Sequence, residues 1–359
     1  MSVKISSQAR PSNRVTEQPR TNRNATLVTQ YGRATGHLSF ANNEWETSAT
    51  KSSLVSIGTH QLFASVSGPV RTPGEPIVII FAGSGEASSS YPALERLVSK
   101  FARILLYDRS GLGRSEDGPN RVSATTAAEE LHSLLKATGI AAPYILVGHS
   151  YGGIVAREYL HLNPDDVAGM VLAESSTERQ CQFFRIPDPN ILAVMGDLKF
   201  SEITELRSRS QLTRDEWRTR AAETARGVKA QQAEAAAFAE NCEALAQKDQ
   251  YNKQALGTRP LSVIRCRSSR DYERIYESGI RAGNGTEEQR KAFRHLLDQW
   301  DNINEDLQGE QLKLSSQSRL VDIPDCGHNV NLVRPDVMAE EIRWVIQSVR
   351  NQHKTDNRL

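Results

Sequence analysis

Apolar runs of strand length alternate with segments of helical period through the middle of the chain. Residues 53–68 (SLVSIGTHQLFASVSG) read as two short strands joined near Gly58, an antiparallel edge. Residues 77–81 and 104–107 are continuous apolar runs, as expected of strands buried on both faces. Between them Leu94, Leu97, Val98 and Phe101 fall on one helical face, and after the second run Ala127, Leu131, Leu134 and Leu135 mark another helix. A strand at 144–147, a helix at about 152–162 and a strand at 169–173 follow. This alternation predicts an α/β fold with right-handed crossovers and helices on both faces of a parallel sheet.

From about 176 to 258 the alternation stops, and the chain becomes charged, Ala-rich and helical in pattern, which predicts an inserted cap over an active site. Thr213 and Glu216 form a capping box ahead of Trp217, Ala221, Ala225 and Val228, and a long helix or helix pair is expected to about residue 247. Strand character returns at 260–266. A second capping box, Thr286 with Gln289, opens a helix bearing Phe293, Leu296, Leu297 and Trp300; a last strand at 320–323 and a last helix at 335–349 follow. The expected division is a disordered basic tail at 1–50, core at 51–175, cap at 176–258, core at 259–350 and a C-terminal tail at 351–359.

Composition adds exclusions. The chain has 359 residues, enough for a large core, with 44 Lys plus Arg against 43 Asp plus Glu. Its net charge of +1 is an average: residues 1–36 sum to +5 and residues 37–350 to −5, so nothing in the body favours nucleic acid. No apolar run could span a bilayer as a helix, and no membrane partner is expected. Cys181, Cys242, Cys266 and Cys326 include no Cys-x-x-Cys pair, which argues against a zinc site or disulfide framework and for a reducing, cytoplasmic setting. The Arg- and Ser/Thr-rich first 36 residues share the composition of mitochondrial transit peptides but lack their apolar face.

The chemistry centres on Gly148-His149-Ser150-Tyr151-Gly152, set between a strand and a helix. Such a Gly-x-Ser-x-Gly turn exposes its serine at the carboxyl edge of the sheet, beside the positive end of the following helix. Ser150 is therefore the candidate nucleophile, and His149 is expected to pack beneath it. A serine needs a base, and of eight histidines His328, just past the last strand, is the one a loop at that edge can present. Two acids give the chain order Ser, acid, His. Glu174 ends a buried strand, whereas Asp271 follows the later strand by five residues among Arg267, Arg270, Glu273 and Arg274, a segment expected to be exposed; Glu174 is preferred. For the oxyanion hole Tyr151 supplies one backbone N–H, and the loop Ala82-Gly83-Ser84-Gly85 the other, from Ser84 or alternatively Gly85. The Gly-rich stretch from Asp108 to Ser115 lacks a phosphate-loop lysine and reads as a structural turn.

Taken together, the motifs at 81–85, 107–115, 147–153, 169–172 and 327–328 resemble the α/β-hydrolase superfamily over about residues 53–349. The Ala82-Gly83 pair looks like the microbial branch in which the usual His-Gly of the oxyanion loop is Ala-Gly. The resemblance implies an eight-stranded, mostly parallel sheet, a helical cap after the sixth strand and a Ser150–Glu174–His328 triad acting without cofactor or metal. The expected activity is hydrolysis of a carboxyl ester, lactone or thioester of a small to medium-sized molecule, by a monomer or homodimer. C–C bond cleavage on the same site, or ligand binding by a vestigial triad, are the alternatives.

Overall fold

The computed structural model describes residues 42–356. Eight strands form one sheet: β1 (Thr50–Ser56), β2 (Gln61–Ser67), β3 (Ile77–Phe81), β4 (Ile104–Tyr107), β5 (Tyr144–His149), β6 (Val167–Ala173), β7 (Leu261–Cys266) and β8 (Ser318–Ile323), in the spatial order β1-β2-β4-β3-β5-β6-β7-β8. β1 pairs antiparallel with β2, and β2 antiparallel with β4; the pairs from β4 to β8 are parallel. This is the α/β sheet predicted by the alternation, with the eight-stranded, mostly parallel arrangement that the resemblance to α/β-hydrolases implies.

Period-two burial explains why the sheet is covered twice. In β3, Ile77, Ile79 and Phe81 face the layer formed by α3 (Ala124–Thr138) and α4 (Tyr151–Leu162), while Val78 and Ile80 face α2 (Pro92–Val98) and α14 (Pro335–Asp356). The first helix, α1 (Glu44–Thr47), lies within the segment expected as tail. It is tied down by buried groups: the Asn43 carboxamide caps Trp45 N at 3.0 Å, Glu46 pairs with Arg71, and buried Arg103 donates to Trp45 O at 2.8 Å. Order therefore starts before residue 50, and α14 likewise runs through most of the expected C-terminal tail. The expectation for residues 1–41 lies outside the described residues.

Between β6 and β7 the insertion holds six helices: α5 (Pro189–Met195), α6 (Phe200–Ile203), α7 (Leu206–Arg209), α8 (Arg214–Arg226), α9 (Val228–Ala236) and α10 (Phe238–Ala246). The Thr213 capping box forms as predicted, but the helix it opens stops at Gly227, where a Cβ would stand 2.9 Å from Leu112 of the core. In place of the expected long helix or helix pair, the Ala-rich stretch is three shorter helices. Between β7 and β8 come α11 (Ser269–Arg281) and α12 (Glu287–Glu310), the latter opened by the predicted Thr286 box; α13 (Val330–Val333) follows the last strand. A third apolar cluster joins Phe184 and Val194 of the insertion to Ile275, Phe293, Leu297 and Trp300 of α11 and α12. The roof over the sheet edge is accordingly wider than residues 176–258.

Candidate active site

β5 ends and α4 begins at a turn that leaves no room for a side chain at Gly148 or Gly152. Ser150 sits at φ 53°, ψ −127°, a backbone strain of about 1–3 kcal/mol that the surroundings must hold in place. A Cβ on Gly152 would lie 2.0 Å from Phe81 O, and one on Gly148 2.7 Å from Gly153 Cα, so the turn packs backbone on backbone. Ser176 N and Gly153 N both donate to Ser150 O, at 2.9 and 3.0 Å, bracing the strained residue from either side. Its Oγ is thereby presented to the cavity at the amino end of α4.

The structure brings His328 to that hydroxyl: Nε2 lies 3.0 Å from Ser150 Oγ. Burial, with the charge of His149 added, pushes the His328 imidazole down to about 3, so the ring is neutral. His149 lies beneath. Its Nε2 meets His328 O at 3.0 Å, and its Nδ1 is 3.4 Å from the buried Glu86 carboxylate. Burial opposes charge on His149, yet the hydrogen bond and charge of Glu86 outweigh it and raise its pKa. The same pairing, with Arg220 and Tyr91, overcomes burial at Glu86 and holds its carboxyl well below the usual range. A buried ion pair thus props the backbone of the histidine loop.

Both candidate acids are buried close by, and neither makes a hydrogen bond to the His328 ring among the described residues. Glu174, at the end of β6, accepts from Cys266 N at 2.7 Å and from Asn304 Nδ2 at 3.2 Å, so both of its oxygens are engaged. Burial raises its pKa to about 7 against those hydrogen bonds. Asp271 is not on an exposed charged segment, as its neighbours suggested: it is 7% exposed, in the first turn of α11, while Arg267, Glu273 and Arg274 pair with Asp301, Arg294 and Glu205. Its Oδ2 accepts from His328 N at 2.9 Å, and a Cβ on Gly327 would come within 2.2 Å of the same carboxylate. Burial raises Asp271 as well, opposed by that amide hydrogen bond.

Of the two loop amides that could face an oxyanion, one is already taken. Gly85 N donates to Glu234 Oε2 at 2.9 Å, whereas Ser84 N and Tyr151 N have no acceptor among the described residues. Arg109 holds the loop from behind, with Nη1 on Ala82 O at 2.7 Å and Nη2 on Gly83 O at 2.8 Å. The sequence reading of the 108–115 turn as purely structural fits Asp108, which caps Ser88 N and Arg114 N, but missed Arg109. Its signal was a basic residue two positions past the end of a buried strand. Glu234, an acid in an Ala-rich helix, carried none.

A cavity of 370 Å³ opens from Ser150 and His328. Its walls are Phe184, Ile191 and Met195 from the insertion, Phe238 of α10, and Tyr272, Leu296 and Trp300 of α11 and α12. Trp300 is the centre of the aromatic wall, 4.1 Å from the Tyr272 ring and 4.7 Å from that of Phe184 by centroid. Gln180, Asn304, Gln308 and Glu174 make a polar patch on the same lining. No group of His, Cys, Asp and Glu that could hold a metal occurs among the described residues, and no helix there is long and apolar enough to cross a membrane.

Comparison with known proteins places this geometry. Residues 77–341 match the family described as "Alpha/beta hydrolase family". An "AB hydrolase superfamily protein" of Gibberella zeae is 30% identical over 331 residues, covering 86% of this chain and 100% of that protein. "Probable transporter efuK" of Hormonema carpetanum is 33% identical over 318 residues, 84% of this chain but only 44% of that longer protein. The fold is shared with a thermophilic esterase from Thermogutta terrifontis, at TM-score 0.54 and 17% identity, covering 83% of this chain and 99% of the esterase. With a family match over most of its length and a full-length relative, the chain belongs to the alpha/beta hydrolase family.

Proposed function

We propose that this hydrolase is a serine esterase acting on a carboxyl ester, lactone or thioester of a neutral molecule with an aromatic or branched apolar part. The observation that carries this reading is the 3.0 Å contact between Ser150 Oγ and His328 Nε2 at the floor of an aromatic-walled cavity. In the reaction His328 takes the Ser150 proton as Oγ attacks the carbonyl carbon. The oxyanion is received by Ser84 N–H and Tyr151 N–H, with the positive end of α4 behind them. The protonated His328 then gives its proton to the leaving alcohol or thiol. Water, deprotonated in turn by His328, attacks the acyl carbon, and the proton passes from His328 to Ser150 Oγ as the acid is released. The substrate is a small molecule, and no step requires a cofactor. A carboxylate must orient His328. The sequence prefers Glu174 for this role, and the contact of Asp271 with the amide of His328 itself favours Asp271.

The cavity also argues for the kind of acyl group. Its walls supply stacking surface, and its lining carries two carboxylates, Glu174 and Asp188, against one guanidinium, Arg185, a balance that does not favour an anionic substrate. A fluorophosphonate probe should label folded protein at Ser150, and a panel of ester, lactone and thioester substrates should show turnover that disappears in Ser150→Ala. Absence of labelling, or turnover equal in the variant, would sink the proposal.

A further inference from the structure

The loop that offers Ser84 N–H is fixed by a residue from outside the sheet. In a trans peptide the C=O and the following N–H point in opposite directions. Because Gly83 O is drawn to Arg109 Nη2 at 2.8 Å, Ser84 N–H must point away from the guanidinium. Because Gly85 N–H is drawn to Glu234 Oε2 at 2.9 Å, Ser84 C=O must point away from that carboxylate. Both peptide planes flanking Ser84 are thus set by one ion pair, closed by Arg109 Nε to Glu234 Oε1 at 2.7 Å. Arg109 is 5% and Glu234 3% exposed, so the pair is shielded from competing water and salt. Burial works against the Arg109 charge, and Glu234 more than restores it.

Glu234 belongs to α9, in the insertion, and that helix bears directly on the loop. Gly85 has φ +67°, and a Cβ there would meet the Gln231 side chain of the same helix at 2.6 Å. The next residue, Glu86, receives Arg220 of α8 at 3.3 Å. Arg109 alone still holds the two carbonyls, but without Glu234 its guanidinium is a buried charge with no counter-ion and Gly85 N–H a buried donor with no acceptor. Either defect is relieved by rotating the loop, which moves Ser84 N–H.

We infer that Glu234 is a positioning residue for the oxyanion hole: through Arg109 and Gly85 it aims Ser84 N–H at the reacting carbonyl, so the hole is complete only when α9 is docked on the core. The inference rests on the serine esterase reading above. Misplacing a catalytic donor by about 1 Å, or removing one, lowers turnover by about a hundredfold.

The test compares p-nitrophenyl acetate with its thionoester counterpart, in the full chain. Sulfur is a poor partner for backbone N–H donors, so the thionoester draws little on the oxyanion hole. Glu234→Ala should lower kcat for the ester by about a hundredfold with KM nearly unchanged, and the ester-to-thionoester rate ratio should collapse. Glu234→Gln, which keeps the shape and one acceptor, should lie between and carries the test if the alanine variant does not fold. Gly85→Ala, acting from the core side, should lower the same ratio. Equal losses on ester and thionoester would show general damage and overturn the inference while leaving the esterase reading intact. No Ser150-dependent hydrolysis of the ester in unaltered protein would overturn both.

Discussion

Glu174 and Asp271 show how far two carboxylates of similar burial can differ in use. Glu174 spends its oxygens on Cys266 N and Asn304, while Asp271 spends one on the amide of the histidine that must be oriented. Asp271→Ala, which removes both the acceptor of the His328 amide and the negative charge beside it, should therefore reduce turnover by about a hundredfold or more, and Glu174→Gln should leave it within an order of magnitude; the reverse pattern would return the role to Glu174. Glu174→Gln has a second signature. Its carboxyl titrates at about 7 in the folded chain against an ordinary 4.5, so between those values the folded state holds a proton that the unfolded state has released. Stability must then fall as pH rises through that window, by about 3 kcal/mol in total. Urea unfolding of Glu174→Gln between pH 4.5 and 8 should show a shallower decline than the unaltered protein.

The elements around the site are placed by contacts too close for side chains. The β5–α4 turn is held against β3 at Gly152, where an added Cβ would meet Phe81 O at 2.0 Å. That neighbour is backbone in the centre of the sheet and cannot move aside as a side-chain tip could. Gly152→Ala should cost more than about 3 kcal/mol, read as a large loss of melting temperature or of soluble yield, because overpacking of this kind displaces a strand. The turn was readable from sequence because its demands are local: a strand, two glycines at fixed offsets and a helix within twenty residues. The insertion was less so. Its capping box at Thr213 was visible, but the break at Gly227 falls where an added Cβ would meet Leu112, more than a hundred residues away in the chain.

At the scale of the molecule, the cavity is walled by segments that the sequence assigned to different parts. Trp300 of α12 and Phe184 of the insertion meet at 4.7 Å, so the residues after β7 form cavity wall as well as core. Trp300→Ala should raise KM for esters of aromatic acids by about tenfold or more, the loss of a large stacked side chain, while acetyl esters change little. Equal effects on both would remove Trp300 from the substrate wall.

The sequence by itself determined the sheet, the crossovers, the Ser150 turn and the place of His328, because apolar period, glycine spacing and strand-to-helix order act over short stretches of chain. It could not decide between Glu174 and Asp271, nor see that Glu234 reaches Arg109 across 125 positions to hold the loop of Ser84. Those pairings depend on how α9, α11 and α12 pack over the sheet edge. A buried charge finds its partner only when both elements are docked, and no local pattern records which one it will meet.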